Sequence, residues 1–122
     1  MEPRFYESDA HKYSFERKIR EWNCENDPER YAALYILLAA PNIREYQNFI
    51  LLDDLRIIDA DTRYTDNWIT SADRDLMNVA MSVYNGGQNT FSAYNLMNDY
   101  SRFAMEGLRI FLEMNGYETD GS

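Results

Sequence analysis

Histidine and cysteine occur once each in this chain, as His11 and Cys24, and glycine only five times in 122 residues. A lone cysteine forms no internal disulfide. A lone histidine excludes every zinc arrangement that needs two, and with no cysteine close in sequence His11 reads as a surface residue of a polar helix. Cys24 would need a base to act as a nucleophile, and one distant histidine is a poor candidate, so a semi-buried inert thiol is expected. The scarcity of glycine also removes phosphate cradling. Gly86-Gly87 follows a helical stretch and is trailed by Gln88 and Asn89 instead of a Lys-Ser/Thr pair.

Positive charge is scarce too. Twelve Lys and Arg stand against twenty-one Asp and Glu, a net of -9 with a pI near 4.5. That balance argues against direct binding to nucleic acid or to an anionic membrane, where a basic face is required, and favours a basic protein partner. Long apolar runs are missing: the longest, YAALYILLAAP from Tyr31 to Pro41, is about half of what a bilayer span needs. The opening residues MEPRFYESDAHK lack the basic start and apolar stretch of a secretory signal, so a cytoplasmic, reducing setting is expected.

What is present points to a folded chain. Hydrophobic residues at 45% and aromatics at 15% are too many for a disordered one, and the length suits a single domain over 1–122. No repeat or linker divides it. The expected class is all-α, a compact bundle of about five helices with one long acidic loop. Ser8 or Asp9 caps a first helix to about Asn23, with Phe15, Ile19 and Trp22 on one face. Asp27 and Pro28 open a second, apolar almost all round, to about Ala40; Pro41 stops it and opens a third over PNIREYQNFILL, with Ile43, Tyr46 and Ile50 inward. From Asp53 to Ile69 the pattern weakens. LRIID alternates like a strand, but a lone strand has nothing to pair with, so an extended loop is expected.

The stretch DNWITSADRDLMNVAMSVYNGG carries a complete helix signature. Thr70 or Ser71 caps it, Asp73 and Asp75 sit in its first turn, Leu76, Val79, Ala80, Val83 and Tyr84 form its core face, and Asn85-Gly86-Gly87 stops it. Thr90 or Ser92 caps a short helix through Met97. A last helix runs from about Tyr100 to Asn115 with Ala104, Leu108, Phe111 and Leu112 as its apolar stripe, and residues 117–122 read as a disordered tail.

Chemistry finds little purchase. DADTRYTDNWIT, Asp59 to Thr70, begins like a calcium loop, but Arg63, Tyr64 and Thr70 occupy the places of a ligand, a glycine and the bidentate glutamate. Carboxylate pairs such as Asp53-Asp54 and Asp73/Asp75 read as solvated surface charge. No catalytic residue, metal site or cofactor is expected. Surface properties remain: ten Tyr, two Trp, and Arg at ten of the twelve basic positions, the residue types that anchor protein interfaces. Asp53 to Asp75 holds seven Asp and three Arg, a net of -4. Asp53, Asp54, Asp59, Asp61, Tyr64 and Asp66 are the candidate partner-binding surface, since they lie in the least regular and most acidic segment.

Three pieces, ERYAALYILLA (Glu29 to Ala39), REYQNFILLDD (Arg44 to Asp54) and WITSADRDLMNVAMSVYNG (Trp68 to Gly86), resemble a family of small helical proteins of unknown function from Firmicutes and their mobile elements. The resemblance spans about half of the chain and implies a setting only: a bacterial host cell, a plasmid or a phage. In size and charge alone the chain is similar to anti-CRISPR proteins. The expected function is therefore an acidic module that occludes a basic nucleic-acid-binding groove, in the manner of a DNA mimic, with a Cas nuclease as the example of a target. The alternative is a structural or housekeeping protein that self-associates as a homodimer through Tyr31, Tyr35 or Tyr84, with no nucleic-acid-related target.

Overall fold

Helix punctuation sets the element boundaries. The computed structural model describes residues 2–47, 51–52, 56–57, 69–84 and 90–119. The Ser8 hydroxyl accepts the His11 amide and opens α1 (Asp9–Trp22). Asn23, at φ 49, closes it: the amides of Asn23 and Cys24 turn back to the carbonyls of Arg20 and Ile19. The Asp27 carboxylate accepts the Arg30 amide to start α2 (Pro28–Leu38), whose first position is Pro28. Ala40 is extended, as a residue preceding proline prefers, and Pro41 opens α3 (Pro41–Glu45). Two short strands follow, β1 (Leu51–Leu52) and β2 (Arg56–Ile57). Thr70 and Asp73 form a reciprocal capping box at the head of α4 (Ser71–Val83). A 3-10 turn at Ala93–Leu96 leads into α5 (Ser101–Met114). Gly116, at φ +90, ends α5, with its amide on Glu113 and that of Tyr117 on Leu112.

The fold is all-α, with five α-helices among the described residues. α2 is its axis. Every residue from Tyr31 to Ala40 is buried, and α1, α3, α4 and α5 all pack against it. α1 contributes Phe15, Ile19 and Trp22, and α4 contributes Leu76, Met77, Val79, Ala80, Met81 and Val83 to one continuous cluster. α5 lies close on α2: a Cβ at Gly107 would stand 2.2 Å from Ile36 Cγ1. No helix among the described residues is long and apolar enough to cross a membrane.

Several expectations are corrected. α3 ends at Glu45, well short of Leu52, because Leu51 and Leu52 pair antiparallel with Ile57 and Arg56. The LRIID strand thus has a partner, in residues whose periodicity had suggested helix. The rest of the expected acidic loop lies outside the described residues, as does the Asn85-Gly86-Gly87 stop. The buried face of α5 is Phe103, Ala104, Gly107 and Ile110, with Leu108 and Phe111 half-buried and Leu112 exposed. A glycine at a close contact is invisible to a count of apolar residues, so the expected stripe was rotated toward Leu112. In the tail, Tyr117 to Thr119 are exposed.

His11 is the largest correction. It is fully buried, on the same α1 face as Phe15, Ile19 and Trp22. Asp73, read as surface charge, is fully buried too: its Oδ2 accepts from the Thr70 amide and Asn42 Nδ2, and its Oδ1 has no partner. Tyr31, Tyr35 and Tyr84, the candidates for a dimer interface, are core residues at 7%, 0% and 6% exposure.

Candidate functional site

All six residues of the expected surface, Asp53, Asp54, Asp59, Asp61, Tyr64 and Asp66, lie outside the described residues. Within them, a different acidic surface comes together. The segment before α1 runs across α1, α2 and α5 as a strap. The Arg4 amide donates to Glu106 Oε2 at 2.6 Å, the Tyr35 hydroxyl donates to the Phe5 carbonyl at 2.7 Å, and the Phe5 ring meets Phe103 edge-on at 5.7 Å. Glu106 is itself buried. Burial raises its carboxyl pKa, but the Arg109 guanidinium and the Arg4 amide outweigh that and hold it below the usual range. Arg109 also spans to Glu113, so strap and α5 share one charge network.

His11 fastens the other end of the strap. Its Nδ1 accepts the Glu7 amide at 3.0 Å and its Nε2 lies 2.9 Å from the Tyr35 carbonyl. An acceptor at Nδ1 and a carbonyl facing Nε2 require the neutral tautomer protonated at Nε2. Burial pushes the imidazole pKa down to about 4. Both nitrogens are occupied by backbone, so this histidine positions structure. The sequence held a signal for this: His11 precedes Phe15 and Ile19 by four and eight residues, in step with the buried face.

The strap, α1, the loop after it and the start of α2 border an open cavity of about 440 Å³. Among the described residues it is lined by the buried Phe15, Ile19 and Tyr31, the half-buried Tyr6, the carboxylates of Glu2, Glu16 and Glu25, and Arg20 and Asn26. Burial and then the charges of Glu16, Tyr31 and Glu2 push the Tyr6 hydroxyl up to about 12, and burial, Glu2 and Glu16 raise that of Tyr31. Both hydroxyls therefore sit in the negative field of the same two carboxylates. No ion pair to Glu2 or Glu25 forms among the described residues, and Glu16 has only Lys12, 4.0 Å away with both side chains largely in solvent. The arrangement can receive a cation whose stem is apolar.

Two other hollows do less. One of about 230 Å³ is lined by Ser14, Arg17, Lys18, Arg44, Glu45 and Gln47. Its cations are already engaged: Arg17 and Lys18 with Glu21, Arg44 with Glu7 and the Leu38 and Ala39 carbonyls at the end of α2. The other, about 360 Å³, lies on the outer side of α5. Cys24 is buried, and desolvation pushes its thiol up to about 11, which keeps it protonated and unreactive near neutral pH. No family model, curated protein or solved structure matches the chain.

Proposed function

We propose that this chain is an acidic protein-binding module that occludes a basic nucleic-acid-binding groove on a protein partner, as a phage or mobile-element counter-defence inhibitor. The observation that carries the reading is the cavity lined by carboxylates and tyrosines on a chain of net charge -9. It offers an Arg- or Lys-rich surface the negative charge and flat apolar faces that such a surface meets in nucleic acid. The family resemblance supports a bacterial host cell as the setting, which makes guide-loaded Cas nucleases the first targets to try.

The test is a DNA-cleavage assay with several guide-loaded Cas nucleases, with the protein in excess and at two salt concentrations. Exposed charges are screened within about 8 Å at physiological ionic strength, so inhibition of one nuclease that fades as salt rises is expected. Inhibition indifferent to salt overturns the electrostatic mechanism, and inhibition of none overturns the assignment to Cas nucleases.

A second reading has its own observation. On α5, Met105, Leu108 and Leu112 stand at i, i+3 and i+7 beside Thr119, with Met105 and Leu112 exposed. That face supports a self-associating structural protein. Sedimentation at several concentrations distinguishes the two readings: a dimer that Leu112→Glu dissociates favours the second.

A further inference from the structure

Resting on the binding-module reading, we infer that the cavity between the strap and α1 is a socket for one extended cationic side chain, an arginine or lysine of the partner, inserted with its charged head leading and its stem following along Phe15 and Ile19. Three features of the cavity select this occupant. Phe15 and Ile19 are apolar, which suits the methylene stem of Lys or Arg. Tyr6, half-buried, lines it with the edge of the buried Tyr31 behind, and a tyrosine ring attracts a guanidinium or ammonium. The carboxylates of Glu2 and Glu16 lie close enough to act on both tyrosine hydroxyls, so a head group resting there would meet negative charge. Glu25 adds a third carboxylate, against the one positive charge of Arg20 among the described lining residues. The volume, about 440 Å³, falls within the usual range for a small-ligand site and exceeds what one side chain fills, so partner backbone has room at the mouth.

Glu2 and Tyr6 belong to the strap, which His11 and Glu106 hold in place, whereas Phe15, Glu16 and Ile19 belong to α1. One side of the cavity is thus a short segment pinned at two points, and the other is a helix face.

The experiment is a titration of the full ¹⁵N-labelled chain, followed by amide shifts, with acetyl-Gly-Gly-Arg-Gly-Gly-amide, its lysine counterpart and its uncharged citrulline counterpart. Shifts concentrated on Glu2, Tyr6, Glu16, Ile19, Asn26 and Tyr31 are expected with arginine or lysine, and none with citrulline. Glu16→Gln and Glu2→Gln should each weaken binding about two- to fivefold, as loss of one partly exposed charge pair does. Asp99→Asn, the same charge change at an exposed residue that does not line the cavity, should leave binding within error. Cationic peptides that shift amides elsewhere, citrulline binding as well as arginine, or equal losses at Glu16 and Asp99 overturn the socket. A parallel titration with deca-arginine separates this from the broader reading. If deca-arginine binds in a salt-dependent way while the single-residue peptides miss the cavity, the socket fails and the module stands. If deca-arginine does not bind either, both fail.

Discussion

A single buried imidazole ties the acidic groove to the core. His11 is packed among the rings of Tyr6, Tyr35 and Phe103, with the charges of Arg44 and Glu7 acting on it. The folded protein keeps it neutral down to about pH 4, whereas in the unfolded chain it takes up a proton near 6.5. Between those values the unfolded state binds more protons, so stability falls as pH falls, by about 3 kcal/mol once the window has been crossed. Glu7 and Glu106, whose carboxyls are held below their usual range, lose their contribution at lower pH still and in the same direction. Urea unfolding at pH 7.5 and 4.5 should show this loss in the natural chain. His11→Gln should start less stable and lose less between the two pH values. An undiminished loss in that variant would remove His11 as the cause.

At the scale of elements, the crossing of α5 over α2 depends on the missing side chain of Gly107. In an exposed helix interior, Gly→Ala stabilises by about 1 kcal/mol. Here the added methyl meets Ile36 Cγ1 at 2.2 Å and Cδ1 at 2.5 Å, inside a fully buried contact. Overpacking therefore outweighs propensity, and Gly107→Ala should destabilise by about 1–3 kcal/mol in chemical denaturation. Paired with Ile36→Ala it should cost clearly less than the sum of the two single changes, since the residues share one space. Strict additivity would show that the helices do not meet at this point. The element boundaries were largely legible beforehand: Ser8, Asp27-Pro28, Pro41, Thr70 and Asn115-Gly116 each act through their own backbone and a neighbour three or four residues away. The end of α3 was not legible, because the β1–β2 pairing competes with helix in a stretch whose apolar residues suit either.

For the whole molecule, net charge is the quantity that the chain displays to its surroundings. At neutral pH a charge of -9 keeps copies apart and draws basic partners, with a strength that salt reduces. Near the pI of about 4.5 that repulsion vanishes, where protonation of His11 in the unfolded chain has already cost most of its share of stability. Turbidity followed from pH 7.5 to 4 should therefore rise steeply near pH 4.5. A clear solution throughout would show that the exposed α5 face carrying Met105 and Leu112 does not drive association even without charge repulsion.

The sequence by itself determined the helical class, most helix starts and stops, the all-round burial of α2 and the excess of acid, because these follow from residue types, short spacings and counts. It also held part of the groove, since Phe15, Glu16, Ile19 and Arg20 share one turn-and-a-half of α1. Only the tertiary structure decided that Glu2 and Tyr6 face Glu16 and Tyr31, that His11 and Asp73 are buried, and that Tyr31, Tyr35 and Tyr84 belong to the core. Each of these depends on contacts between residues far apart in the chain, such as the Arg4 amide on Glu106 and the Tyr35 hydroxyl on Phe5. Local periodicity carries no information about which distant backbone group will satisfy a polar side chain once water has been excluded.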